Sequence, residues 1–342
     1  MNIVNNSPIA ATSYFMMDKE GAEVVLLIVK GTWRIAGCGE LTLADEQEPI
    51  RSEPLYRGEP DKSSLLYDTD VVLEKPGTDC ILIGHARALQ HRQPYVDVRF
   101  AVGPVQKQAR VFGERCWKKG LLGDASIIKI RPVEEVPLIW ENAFGGTDMS
   151  WKDPSRHEFC KENPVGRGFM AKKTDINFDG LPLPNIEDPG NLFKSPQKRP
   201  KPVGFGMVAP YWQPRVSYGG TYDEHWRKYI SPLLPEDFDT RFNMTAPPGL
   251  SAIPHLKGNE RVLVEGASKH KRLLFDLPAV TPEVTVRRRR YEGELPMSLG
   301  EVIVEPDNER VILTWRGVWN IHGHVHQLIS IKIKVKSSPV TI

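Results

Sequence analysis

No apolar run in the 342 residues is long enough to cross a bilayer, which excludes a helical membrane span. Residues 1–15 have neither the basic start nor the apolar core of a signal peptide, so a cytoplasmic location is expected. Charge of one sign is also missing. The 45 basic side chains stand against 43 acidic ones, leaving no overall attraction to nucleic acid or to an anionic membrane. Cysteine is scarce: Cys38, Cys80, Cys116 and Cys160 lie far apart with no CxxC pair. That removes the usual zinc spacing and favours reduced core thiols, although a disulfide between two of them stays open. GxSxG, HExxH, a P-loop and a GxGxxG ahead of a helix are all absent. An active site would have to be assembled from distant residues. We single out no catalytic residue and expect no enzyme, no cofactor and no metal.

What is present at both ends is a strand pattern. Val24 to Val29 is a continuous apolar run, as in a strand covered on both faces. Val96, Val98, Phe100 and Val102 alternate with Tyr95, Asp97, Arg99 and Ala101, the period of a half-buried strand. Gly103-Pro104 interrupts that run and Val105 to Phe112 resumes it, which predicts a hairpin. Asp79 to Ala86 supplies another strand after the Lys75-Pro76-Gly77 turn, and no helix is expected before about residue 140. Toward the end, Glu301 to Glu305 and Arg310 to Trp319 flank the turn Pro306-Asp307-Asn308. Ile329, Ile331, Ile333 and Val335 alternate with Ser330, Lys332, Lys334 and Lys336, which reads as an exposed strand guarded by lysines. Weaker strands are placed at Arg261 to Glu265, Leu273 to Leu277 and Glu283 to Arg287.

Between these ends, Gly, Pro and aromatic residues recur from Glu141 to Asp239 in blocks that regular structure does not need. That density of Pro and Gly ends helices and central strands. Phe144, Phe169, Phe205, Tyr211, Trp212, Tyr222 and Trp226 make the segment too apolar for a disordered linker. Thr221 followed by Glu224 reads as a capping box for one short helix near 222–230, with Tyr222, Trp226, Tyr229 and Ile230 on one face and Ser231-Pro232 ending it. The expected fold is therefore all-β, mainly antiparallel and sandwich-like, with a long ordered Pro/Gly/aromatic-rich insertion and one short helix. We divide the chain at 1–140, 141–255 and 256–342, the two β-rich ends forming either one sandwich or two.

Several constellations invite a chemical reading. His322, His324 and His326 would share one face of a strand and begin a zinc site, but Asn320 to Gly323 reads as a turn, so solvated histidines are favoured. Arg287 to Arg290 alternate sides on a strand, which spreads their charge; a solvated edge is favoured over docking to an acidic partner. Asp68 and Asp70, and Glu236, Asp237 and Asp239, read as turn and cap residues before acid–base groups. In Asn163-Pro164-Val165-Gly166-Arg167-Gly168, a tight bend would hold the Arg167 guanidinium either on carbonyls of the protein or on a partner carboxylate. Trp212 and Trp226 are either core pins or interface anchors.

The blocks GAEVVLLIVKGTW, EPLYRGEP, DVVLEKPGTDCILIGHA, ARVFGERCW, PLIWENAFGG, NPVGRGF, LPNIEDP, PVGFGMVAPYWQPR, GTYDEHW and LLPEDFDTRFNMTAPP follow one another from about residue 1 to 280. In content, order and spacing this series resembles the bacterial family called domain of unknown function 2169, an accessory of type VI secretion systems. The resemblance implies a cytosolic adaptor or chaperone, encoded beside type VI effectors and PAAR-like spike-tip proteins, that stabilises a toxic effector and helps load it onto the VgrG spike. It implies no catalytic residue. With it, the Asn163 to Asp239 segment becomes the expected client-facing surface, with Arg167, Trp212, Tyr222 and Trp226 as candidate anchors. Rival expectations are a carbohydrate-binding β-sandwich module and a metal-dependent hydrolase using the 322–326 histidines.

Overall fold

A computed structural model of the chain describes residues 2–37, 39–174, 176–288, 291–321 and 328–337. Three sheets dominate. The largest, seven-stranded, runs in the order Ser251–Ala252, Thr78–Leu82, Ser298–Glu305, Arg310–Asn320, Glu23–Ile35 and Ala10–Met17, with Leu41–Leu43 also paired to Glu23–Ile35. Its pairs are antiparallel except where Ser298–Glu305 meets Thr78–Leu82 in parallel. The second sheet, five-stranded and antiparallel throughout, runs Ile186–Glu187, Val105–Phe112, Tyr95–Val102, Arg261–Glu265 and Arg272–Asp276. The third, four-stranded, runs Asn2–Asn5, Leu328–Ser337, Val280–Arg288 and Tyr291–Leu295. Each sheet contains strands from both β-rich ends of the chain.

The apolar patterns explain the layers. Val25, Leu27 and Val29 on one face of Glu23–Ile35, and Leu26 and Ile28 on the other, are all sealed from solvent, as the unbroken run requires. Tyr95–Val102 buries Val96, Val98, Phe100 and Val102 and exposes the residues between. Side chains of all three sheets meet in one core, among them Val29, Trp315, Phe100, Val264, Val284 and Ile333. Within it Trp33 and Trp315 pack edge to face with ring centres 6.1 Å apart, a geometry favoured by their quadrupoles.

Two strand expectations change. Leu328–Ser337 is not an edge: it lies between Asn2–Asn5 and Val280–Arg288, so it offers no open ladder to guard, and Lys332 and Lys334 instead alternate with buried Ile331 and Ile333. The expected Asp79 to Ala86 strand breaks in two. Thr78–Leu82 stays in the large sheet, whereas His85–Arg87 turns away to pair with Glu135–Pro137. Both Ser7–Ile9 and the loop before residue 78 are stitched down by side chains; the buried Lys30–Asp70 pair, 2.8 Å apart, also receives Arg316 through the Asp70 carbonyl at 3.0 Å. Cys80, Cys116 and Cys160 are free thiols. Burial pushes the Cys160 thiol up to about 11 and the Cys80 thiol higher still, so both behave as inert core residues. No helix among the described residues is long and apolar enough to cross a membrane.

Candidate functional site: an aromatic ledge on a pinned segment

From residue 141 onward the chain leaves regular structure, and what holds it is a set of buried rings and polar staples. Trp140 donates its indole N–H to the Met207 carbonyl at 2.9 Å and meets Trp212 at 5.9 Å, nearly perpendicular. A satellite core of Trp117, Phe144, Cys160, Leu183 and Phe193 fixes the next stretch. Asn163, fully buried, donates to the carbonyls of Trp140 at 2.8 Å and Phe144 at 3.0 Å. The bend that follows needs its glycines. A Cβ on Gly166 would strike the Ala143 carbonyl at 2.7 Å as well as the Asn163 amide, and Gly168 has a φ of +89°, open to glycine at no steric cost.

Asp148 nails down the loops on either side of it. It accepts hydrogen bonds from Ser150 N–H and Oγ, from Ala171 N–H and from Thr174 Oγ1. Burial works to raise its pKa, but these donors outweigh that and hold the carboxyl at about 2. A depressed carboxyl stabilises the fold at every pH above its unfolded value, about 4, and that contribution fades as the pH falls through the folded value. Urea titrations at a series of pH values should therefore show stability falling between about pH 4 and pH 2 in the native protein. Asp148→Asn is expected to be less stable at neutral pH and to lack that part of the acid limb.

Of the four candidate anchors, two are structural. Trp212 is wholly buried and is a core pin, because an irregular segment without a ladder must be held by apolar contacts. Arg167 is half-buried. Its Nε donates to the Glu141 carbonyl at 2.9 Å and its Nη2 to Asn142 Oδ1 at 2.7 Å, while its backbone N–H bonds the Ala143 carbonyl at 3.0 Å. The guanidinium caps the protein's own acceptors and does not reach outward; burial lowers its pKa, against the pull of Glu114 and Glu141. Arg167→Ala is expected to cost about 1–3 kcal/mol of stability, because two acceptors lose their donor. Chemical denaturation reads this directly.

The other two stand on a ledge. The single α-helix among the described residues, Glu224–Tyr229, is capped by Asp223, whose side chain accepts from Trp226 N–H at 2.8 Å. Thr221, the expected cap, is one bend earlier and bonds both oxygens of Asp237, at 2.9 and 2.7 Å. Trp226 is half-buried, with its indole N–H on the Leu233 carbonyl at 2.9 Å, and Tyr222 stacks edge-on against it at 4.7 Å. Tyr222 and Tyr229 are 56% and 68% exposed, and no residue of the helix is buried. The ledge is bolted to the large sheet through Lys19, which donates to the carbonyls of Glu236 at 2.7 Å and Phe238 at 3.1 Å, and through Gly21 under Leu233. Lys19 lies two residues past the edge strand Ala10–Met17, on which Phe15 and Met17 are exposed. The ledge and this strand end thus present apolar groups from adjoining elements.

Sequence reasoning missed a buried arginine that braces the chain ahead of the ledge. Arg215, buried, donates to the carbonyls of Phe242 at 2.9 Å and Val208 at 2.6 Å and pairs with Asp68 at 2.8 Å. A lone arginine after Pro214 carries no periodic signal. The acidic groups are engaged structurally: Asp68 with Arg215, Asp70 with Lys30, Asp237 with Thr221, and Asp239 as the cap of Thr240–Asn243. Among the described residues, no group of three or more His, Cys, Asp and Glu side chains is placed to hold a metal ion. His322, His324 and His326 lie outside the described residues, as do Arg289 and Arg290. Arg288 lies over the Trp319 ring at 4.1 Å and donates to the Asn320 carbonyl at 3.0 Å, while Arg287 is exposed.

An all-β scaffold bearing a pinned irregular segment and an outward aromatic ledge is the class of protein these features define. The chain belongs to the bacterial family described as "Uncharacterized protein conserved in bacteria (DUF2169)", whose model matches residues 20–316. No curated protein and no solved structure matches it.

Proposed function

We propose that this protein is a non-enzymatic adaptor or chaperone that holds a type VI secretion effector in the cytoplasm and helps load it onto the VgrG/PAAR-like spike. The observation that carries this reading is the ledge. Tyr222 just before the helix and Tyr229 at its end are exposed, no residue of the helix is buried, and the chain that follows it is tied to the scaffold by Lys19, through the Glu236 and Phe238 carbonyls, and by Gly21 against Leu233. Rigidly mounted, exposed aromatic side chains suit a protein partner, since they bring large contact area at low entropic cost. Phe15 and Met17, on the strand that leads into the Lys19 turn, are exposed as well. The family resemblance read from the sequence supplies the secretion context. Mixing the purified protein with the effector encoded beside its gene, in a calorimeter, should give saturable binding; the absence of any heat or co-elution would reject the adaptor reading.

A further inference from the structure

The Arg115–Lys119 and Ala125–Lys129 strands form a separate two-stranded hairpin. Its inner strand is covered: residues 180–183 bond to Arg115 and Trp117. Its outer strand is exposed at all five positions, and Leu121 and Leu122 at the tip are almost wholly in solvent, with Ile127, Ile128 and Ile130 also exposed. The hydrogen bonds from Gly120 N–H to Asp124 O and from Ile130 N–H to Glu114 O set the parity of the ladder. In an antiparallel pair the bonded positions alternate, so Ala125, Ile127 and Lys129 turn their N–H and C=O groups away from the hairpin. That is an open edge of the kind native proteins normally blunt.

We infer that this edge receives an extended segment of the client polypeptide as an added strand, an acidic residue of that segment seating at the hairpin base. The charge there selects the occupant. An open cavity of about 330 Å³ beside the outer strand is lined by Arg92, Lys129 and Arg131 with Pro94, Ile130 and Pro132, and its lining contains no carboxylate. Arg131 has a partner in Glu114 at 3.6 Å, whereas Lys129 makes no ion pair among the described residues. Added strands draw affinity from main-chain bonds and specificity from alternate side chains. Here those side chains would meet Ile127 and Ile128, and the carboxylate would meet Lys129. The inference rests on the adaptor reading for the origin of the segment.

The test uses a blocked peptide of alternating valine and threonine ending in two glutamates, and a twin ending in two lysines. Hydrogen exchange of the intact protein should slow at Ala125, Ile127 and Lys129 when the glutamate peptide is added, and the lysine twin should bind about tenfold more weakly or less. Ile127→Pro removes one outward N–H without touching the inner ladder, so it should abolish binding while Ile127→Val retains it. Binding unchanged by Ile127→Pro, equal binding of the two peptides, or no slowed exchange would overturn the inference. So would slowing that follows protein concentration alone, which would assign the edge to a second copy of this chain. An effector that still binds Ile127→Pro at full strength defeats the edge while leaving the adaptor reading intact; an effector that binds no form of the protein defeats the adaptor reading.

Discussion

Asp79→Ala is expected to lower the unfolding free energy by about 3–5 kcal/mol, the cost of stranding a buried partner charge. Asp79 is completely buried in Thr78–Leu82 and pairs with Lys75 at 2.8 Å. It also accepts from the N–H groups of Thr245 at 2.8 Å and Ala246 at 3.1 Å, and from the Ser251 hydroxyl at 3.3 Å. Burial alone would raise its pKa, but the Lys75 ammonium and these amides prevail and hold it below the usual carboxylate range. Removing it leaves Lys75 with only Glu301, at 3.3 Å, and frees the place where the irregular segment rejoins the large sheet. Urea unfolding followed by tryptophan fluorescence gives the number. A loss under about 1 kcal/mol, typical of an exposed pair, would mean that water replaces the carboxylate and that this buried pair does not clamp the segment.

Trp212→Ala is expected to cost a similar amount, about 3–5 kcal/mol, through the cavity it leaves. The ring is sealed between Trp140 and Tyr211, with ring centres 5.9 and 6.2 Å away. Its indole N–H has no hydrogen-bond partner among the described residues, so Trp212→Phe should lose mainly volume, with a deficit of about 1–3 kcal/mol. Because the side chain reaches no surface, a folded Trp212→Phe protein should bind its partner as the native one does. A large affinity loss with little change in stability would contradict the assignment as a pin.

The β scaffold was legible because its signals are periodic. The Val24 to Val29 run, the alternation at Tyr95–Val102 and the hairpin around Gly103 each appear where the pattern places them. Which strands neighbour which was not legible, since pairing such as Thr78–Leu82 with Ser298–Glu305 joins residues more than 200 apart through registers that local pattern does not encode. That is also why Leu328–Ser337 read as exposed: its lysine face is real, but its two flanking strands come from elsewhere in the sequence. At the candidate site, residue type told less than location. Trp212 and Tyr222 lie ten residues apart in the same aromatic segment, yet one is sealed and the other stands in solvent. Arg167 showed the bend but not the direction of its side chain, which depends on the Glu141 carbonyl and the Asn142 side-chain oxygen being turned toward it. The exposed leucines of the Gly120 to Gly123 tip were overlooked because a short apolar pair between glycines looks like any hairpin turn.

A ledge that grips another polypeptide, as proposed, is tested most directly by the effector affinity of Tyr222→Ala and Tyr229→Ala. Both rings are largely exposed, so the unfolding midpoint should hardly move. Each variant is expected to lose about 2 kcal/mol or more of binding, close to a thirtyfold rise in Kd. Native affinity in both variants, with the protein folded, would contradict the proposal.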